Sequence, residues 1–415
     1  GSESGGLLAQ GGNISYEGGG ETLTVSLEMK MNGNDASVLD STAVAALNGG
    51  ITLAGRVNVT TNGIGVAVWS KGEGSAANSF TLKSGALTIN SARSTALYVS
   101  GGNVTFGEGT EVAITSESDN DCRLTNGNAL FNGVFVQGGT LIADGTFNVT
   151  HTGAGAAVCV QGNATFGGAV TVTKNAAESY PSAAALYDAV HIESGSMTVG
   201  AEFTVTHSGI GAAVYVAGNI TLSGTAEITN DMTGVSYIEG ADVSYDGVYV
   251  GGTLNASEAV FNVTHTGVNN DYSGNYDKLV VRSYAVRVEG GADSKVTIGS
   301  GRITNSVGGG LYVNGGTVEV GTAGDDGEAG SAQLTISATG SGYDGTWYDT
   351  NGNTANGSNA WHYHKNISGG HAVEVAVGRE AHVVFHQVGR LLLDGHDHEG
   401  HEGIDLLLRT PPVLS

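Results

Sequence analysis

The chain has 415 residues, a formal charge of −24 and only 16 lysines and arginines. So few cations exclude nucleic-acid phosphates and anionic membranes as partners, because both are gripped through clustered Lys and Arg. Sixty-nine glycines, three prolines and abundant Val, Ile, Thr and Ala describe short strands between tight turns, and no apolar run approaches the roughly 18 residues of a membrane helix.

Residues 1–40 break the pattern that follows and read as an N-terminal cap with a first coil. From residue 41 to 390 a four-residue phrase returns: Ala96-Leu97-Tyr98-Val99, Gly133-Val134-Phe135-Val136, Ala157-Val158-Cys159-Val160, Ala213-Val214-Tyr215-Val216, Gly247-Val248-Tyr249-Val250 and Gly310-Leu311-Tyr312-Val313 among others. A fixed period of this kind is the mark of a stacked architecture. The compact stretch 132–155 shows the unit: Val134-Phe-Val, a turn, Thr140-Leu-Ile-Ala143, a turn, then Phe147-Asn-Val-Thr-His151. Apolar and polar residues alternate in each segment, so the spacing predicts three strands per coil of about 24 residues, with one side chain in two facing a core. Val134, Val136, Phe147, Val149, Phe203, Val205, Phe261 and Val263 are among the inward positions. About ten or eleven such coils fit. Insertions recur after the third strand, from Ser116, Asn175, Asn230, Val268 and Ser341, and carry Tyr and Trp beside Asp and Asn. Residues 391–415, with Leu406-Leu407-Leu408 and Pro411-Pro412, read as a C-terminal cap or tail.

These phrases resemble the right-handed parallel β-helix surface proteins, the pectate-lyase-like group and the passenger regions of autotransporters and adhesins. The resemblance implies an all-β, right-handed parallel β-helix (solenoid) and an extracellular or cell-surface location. Ten Asn-x-Ser/Thr sequons, such as Asn103 and Asn148, suit a secreted protein but equally describe polar strand faces. Cys122 and Cys159 allow one bridge and no disulfide framework.

Aligning the phrases puts Trp69, Tyr98, Phe135, Cys159, His191, Tyr215, Tyr249, Arg287, Tyr312 and Glu374 in one outward column. Aromatic rings in a row offer apolar faces to sugars while neighbouring polar groups bond the hydroxyls. With Trp347 and Trp361 from the longest insertion, this column is the expected binding site for a glycan or host surface. Adhesion ranks first. The competing reading of the column is that its rings stack on one another beneath the loops.

The alternative is a polysaccharide lyase or glycoside hydrolase in the same groove, with Arg287, Asp246 and Asp188 in the positions that match the family's catalytic strand and Glu289 nearby. The acidic balance opposes binding a uronate. Asp188 and Asp246 precede equivalent strands two coils apart, close to the spacing of an inverting glycosidase pair. A third reading is a stalk or filament subunit that self-associates end to end. Calcium or zinc is the cofactor the residues allow: calcium would find Asp349, Asn351 and Asn353, where the Gly and distal Glu of an EF-hand loop are missing, and zinc would find His396, His398 and His401 among the carboxylates of an acidic tail. His151, His207 and His265 share one turn position but lie two coils apart, too far for one ion, and are expected to bond turn backbone. A threonine row through Thr115, Thr150 and Thr206 resembles ice-binding surfaces, but its companion column is broken by Glu227 and Arg302.

Overall fold

The computed structural model describes residues 6–28, 42–72, 79–118, 132–176, 186–235, 244–267 and 283–321, and beyond these the strand segments 330–338, 341–348, 363–368, 373–375, 381–386, 388–394 and 407–409. These segments are built from β-strands.

The returning phrases pair with one another in chain order. Val134–Val136, Val158–Val160, Val190–Ile192, Val214–Val216 and Val248–Val250 lie side by side in parallel, residue against equivalent residue, within a twelve-stranded sheet running from Leu7–Gln10 to Val373–Val375. The remaining strands of each layer form a second parallel sheet of twenty strands. Ser341–Tyr348 and Tyr363–Ser368, inside the longest insertion, form a separate antiparallel pair.

This corrects the expected fold. The class is all-β, but the strands belong to two extended parallel sheets, not to the three separate ladders of a right-handed β-helix with three strands per coil. The cause is local. In Gly50–Asn62, Ser79–Ala92, Thr253–Thr266 and Lys295–Asn305 the second and third predicted strands run together without a break. Gly55 and Gly85 lie in register in two of these strands with φ of +91° and +93°, so the chain bends where a turn is expected while its hydrogen-bonded ladder continues. The descriptions as a β-helix or solenoid, and the likeness to the pectate-lyase-like and adhesin proteins drawn from them, are therefore set aside in favour of the two sheets.

The inner faces of both sheets meet in one apolar cluster. Val158 and Val160 from the twelve-stranded sheet share it with Phe166 and Val172 from the twenty-stranded one, all buried. Phe106, Phe147 and Phe166 pack tilted against one another, layer on layer, with ring centroids 5.9 and 5.1 Å apart. Alternation decides which side chains enter: in Thr146–Gly153, Phe147, Val149 and His151 are buried while Thr146, Asn148 and Thr150 are exposed. Tight layer spacing also fixes turn residues. A Cβ on Gly195 would stand 1.7 Å from the carbonyl oxygen of Gly162 in the layer beneath, so only glycine fits.

Candidate ligand-binding face

The parallel register places Trp69 beside Tyr98, Tyr98 beside Phe135, Phe135 beside Cys159, then His191, Tyr215, Tyr249, Arg287 and Tyr312 in one column, with Glu374 beyond. Side-chain packing divides this column into three parts. In the first, Trp69, Tyr98 and Phe135 are stacked nearly parallel, with centroids 5.9 and 5.3 Å apart. Trp69 and Tyr98 are buried, and their polar atoms are engaged: Trp69 Nε1 donates to Ser100 Oγ at 2.8 Å and the Tyr98 hydroxyl donates to Gln137. Burial raises the pKa of the Tyr98 hydroxyl.

Cys159 interrupts the rings as a free, buried thiol whose pKa is pushed up by burial and by Glu193 and Asp188. Cys122 lies outside the described residues. Beyond it, His191, Tyr215 and Tyr249 form the second stack, with centroids 4.5 and 4.7 Å apart and ring planes within 5°. His191 is buried, and its Nδ1 meets Asp188 Oδ2 at 2.8 Å. Tyr215 and Tyr249 are half-buried, with a ring face of each against the other.

The third part is polar. The Arg287 guanidinium lies 5.4 Å from the Tyr312 ring centroid, a cation–π contact, and Tyr312 stacks on Tyr284 at 4.6 Å. Arg287 Nε donates to Glu289 Oε2 at 2.7 Å, NH2 lies 2.6 Å from the same oxygen, and NH1 is 3.8 Å from Asp246 Oδ2. Asn314 Nδ2 donates to Glu289 Oε1 at 2.7 Å, and the Tyr249 hydroxyl donates to the Glu289 carbonyl at 3.0 Å. Partial burial works against the Arg287 charge, yet Asp246 and Glu289 hold its pKa above the ordinary value. Burial raises the Asp246 carboxyl to about 6, against the opposing pull of Arg287. Arg287, Glu289 and Asn314 are all half-buried, and with the Tyr249 hydroxyl they form a hydrogen-bonded strip beside the stacked tyrosines.

Asp188 and Asp246, the carboxylates of the enzymatic reading, stand in equivalent places and do equivalent structural work. Asp188 Oδ1 accepts the Ala212 N–H at 2.7 Å, Asp246 Oδ1 accepts the Tyr284 N–H at 2.9 Å, and Asn132 does the same for the Ala156 N–H at 2.8 Å. An amide serves at one site as a carboxylate serves at the others, so the position calls for an acceptor and not for an acid. Asp246 Oδ2 is further engaged by Ser244 Oγ at 3.1 Å. Asp188 pairs with His191 and Asp246 with Arg287, so the three residues do not converge on one point.

Trp347 sits in the antiparallel hairpin opposite His364. Trp361, the calcium candidates Asp349, Asn351 and Asn353, and the zinc candidates His396, His398 and His401 lie outside the described residues. Among the described residues no group of three or more His, Cys, Asp or Glu side chains is placed to hold a metal ion. In the threonine row, Thr115, Thr150, Thr173 and Thr206 are register neighbours, while Asn90 separates Thr60 from Thr115. His151 and His207 bond turn carbonyls, of Ala154 at 2.8 Å and Tyr187 at 3.0 Å.

Sequence reasoning missed Asn132, Asn314 and Lys174. Lys174 had a visible signal: in Val170, Val172, Lys174 it occupies the third inward position of an alternating strand. The structure buries it completely.

No family model matches this chain, and no match was found among curated proteins or solved structures. The likeness to β-helix surface proteins thus has no support from relatives, and the site stands on its own geometry.

Proposed function

We propose that this chain is a non-catalytic binding protein of the cell surface or extracellular space that recognises a polyhydroxylated ligand, a glycan or a glycan-bearing host surface. The observation that carries this reading is the strip formed by the edges of Tyr215 and Tyr249 with Arg287, Glu289 and Asn314. It pairs aromatic edges with charged donors and acceptors, the mixture that sugar hydroxyls require. Recognition runs mainly through ring edges and polar groups, because Tyr215 is stacked on both faces, by His191 and Tyr249. Binding is favoured over turnover because Asp188 and Asp246 are buried and committed to backbone N–H groups.

The test is retention on immobilised neutral and acidic glycans. Tyr215→Ala with Tyr249→Ala, and separately Arg287→Ala, should each weaken retention at least tenfold while leaving the far-UV spectrum intact. Unchanged retention by both would end this reading, and release of unsaturated or reducing ends would favour the enzyme.

A structural subunit is the second reading, and one observation favours it. Leu7, Ile14, Tyr16, Leu23 and Leu27 in the first layer are only partly buried, whereas Val44, Ile51, Leu53 and Val57 beside them are at most 1 % exposed. End-to-end contact would cover that row. Sedimentation at rising concentration tests it: an unchanging monomer refutes it.

A further inference from the structure

One inward position breaks the apolar rule of the core. In six successive layers it carries Ser116, His151, Lys174, His207, Asn230 and His265, each register partner to the next and each at most 2 % exposed. These side chains fasten the corners where the chain passes from the twenty-stranded to the twelve-stranded sheet. His151 places Nδ1 at 2.7 Å from Ser116 Oγ and Nε2 at 2.8 Å from the Ala154 carbonyl. Lys174 Nζ donates to the Gly153 carbonyl. His207 faces two acceptors, Asn230 Oδ1 at 2.7 Å and the Tyr187 carbonyl at 3.0 Å, while the Asn230 amide nitrogen is spent on the Asp246 carbonyl at 2.9 Å. Three bases therefore follow one another in consecutive layers, about 4.8 Å apart and fully buried.

We propose that His151, Lys174 and His207 form an acid-operated latch: the corners at 153–157 and 186–189 stay closed while the column carries at most one positive charge, and acidification opens them by adding a second. Among the described residues, the charged and titratable groups acting on the column are Asp188 from the corner before Val190–Ile192, and His265 and Asp231 from the next layers. Among the described residues, Asp188 is the one carboxylate acting on Lys174, and it is already shared with His191 and the Ala212 N–H. One compensating anion cannot balance two cations held this close.

The direction of the pH effect follows from burial. Burial lowers Lys174 from 10.5 to about 7, and it also depresses His151 and His207, with Lys174 adding repulsion to both. An opened corner restores ordinary affinity for protons, near 6.5 for an imidazole. The open state therefore binds more protons than the closed one both above pH 7, through Lys174, and below 6.5, through the histidines. Falling pH favours opening across both windows.

Hydrogen–deuterium exchange on the intact chain at pH 8 and pH 5, corrected for intrinsic exchange, reads the latch directly. The Gly155, Ala157 and Ala189 amides, which donate to the carbonyls of Leu186, Asp188 and Ala212, should lose at least tenfold in protection at pH 5 relative to the Leu97 amide. His151→Asn with His207→Asn, using the amide the column already employs at Asn230, should remove that loss. Lys174→Met serves as a second variant and should shift the onset of opening to lower pH. Equal protection at both pH values, uniform loss along the chain, or an onset unmoved in Lys174→Met would each overturn the latch.

Discussion

Replacing Lys174 by methionine should stabilise the protein at neutral pH and destabilise it in alkali. The ammonium is completely buried, and its pKa falls from 10.5 to about 7. At about 1.4 kcal/mol per pH unit, keeping this residue costs the folded state about 5 kcal/mol at pH 7. A methionine of similar length carries no such cost but leaves the Gly153 carbonyl without its donor, a loss of about 1–3 kcal/mol. The net expectation is a gain of about 2–4 kcal/mol at pH 7. The sign of the pH dependence is fixed: a lysine depressed in the folded state makes the native protein more stable as pH rises from about 7 to 10.5. The methionine variant lacks that rise, so its advantage shrinks by about 1.4 kcal/mol per pH unit and reverses between about pH 8.5 and 10. Urea denaturation of both proteins at pH 7, 8, 9 and 10, followed by far-UV circular dichroism, measures this. A difference that does not change with pH, or a variant less stable at pH 7, would refute the placement of a desolvated lysine in the core.

Asp246→Asn should keep the acceptor for the Tyr284 N–H, as Asn132 does for Ala156, and remove a carboxyl held at about 6 instead of 3.8. Because that elevation makes the wild type lose stability as pH rises from about 4 to 6, the variant should gain about 3 kcal/mol relative to it over this window, read from denaturation midpoints. Phe147→Ala opens a hole between Phe106 and Phe166 and should cost about 3–5 kcal/mol in the same assay, with a smaller loss if the stack collapses around it.

The alternation in Val134-Phe-Val or Phe147-Asn-Val-Thr-His151 gives the all-β class and the inward residues, because a strand has only two faces. Strand breaks are harder to read. A glycine within a polar-apolar alternation signals a turn and a bend equally well, and at Gly55 and Gly85 the backbone bends while the ladder continues. That ambiguity turns an expected set of three ladders into two sheets. The outward column shows the same division: spacing puts Tyr215 beside Tyr249, but it carries no information on side-chain rotation. Face-to-face stacking at 4.7 Å, which takes one face of each ring away from a ligand, is a property of packing.

Polar residues in the core and on the face answer different demands, although both recur once per layer. The His151–Lys174–His207 column lies where corner carbonyls of neighbouring layers would otherwise be buried without donors, at about 1–3 kcal/mol each. Valine or phenylalanine there would satisfy the core and orphan the corner. Thr61 and Ser91 at earlier layers meet Ser94 with hydroxyls alone, so a small uncharged group suffices for this task. Asn305 at a later layer serves two carbonyls, of Ser283 and Gly309, without any titratable group. Imidazoles and an amine in the middle layers are thus not required by the fold, which is why their proton affinity, and not their size, is the property to be measured.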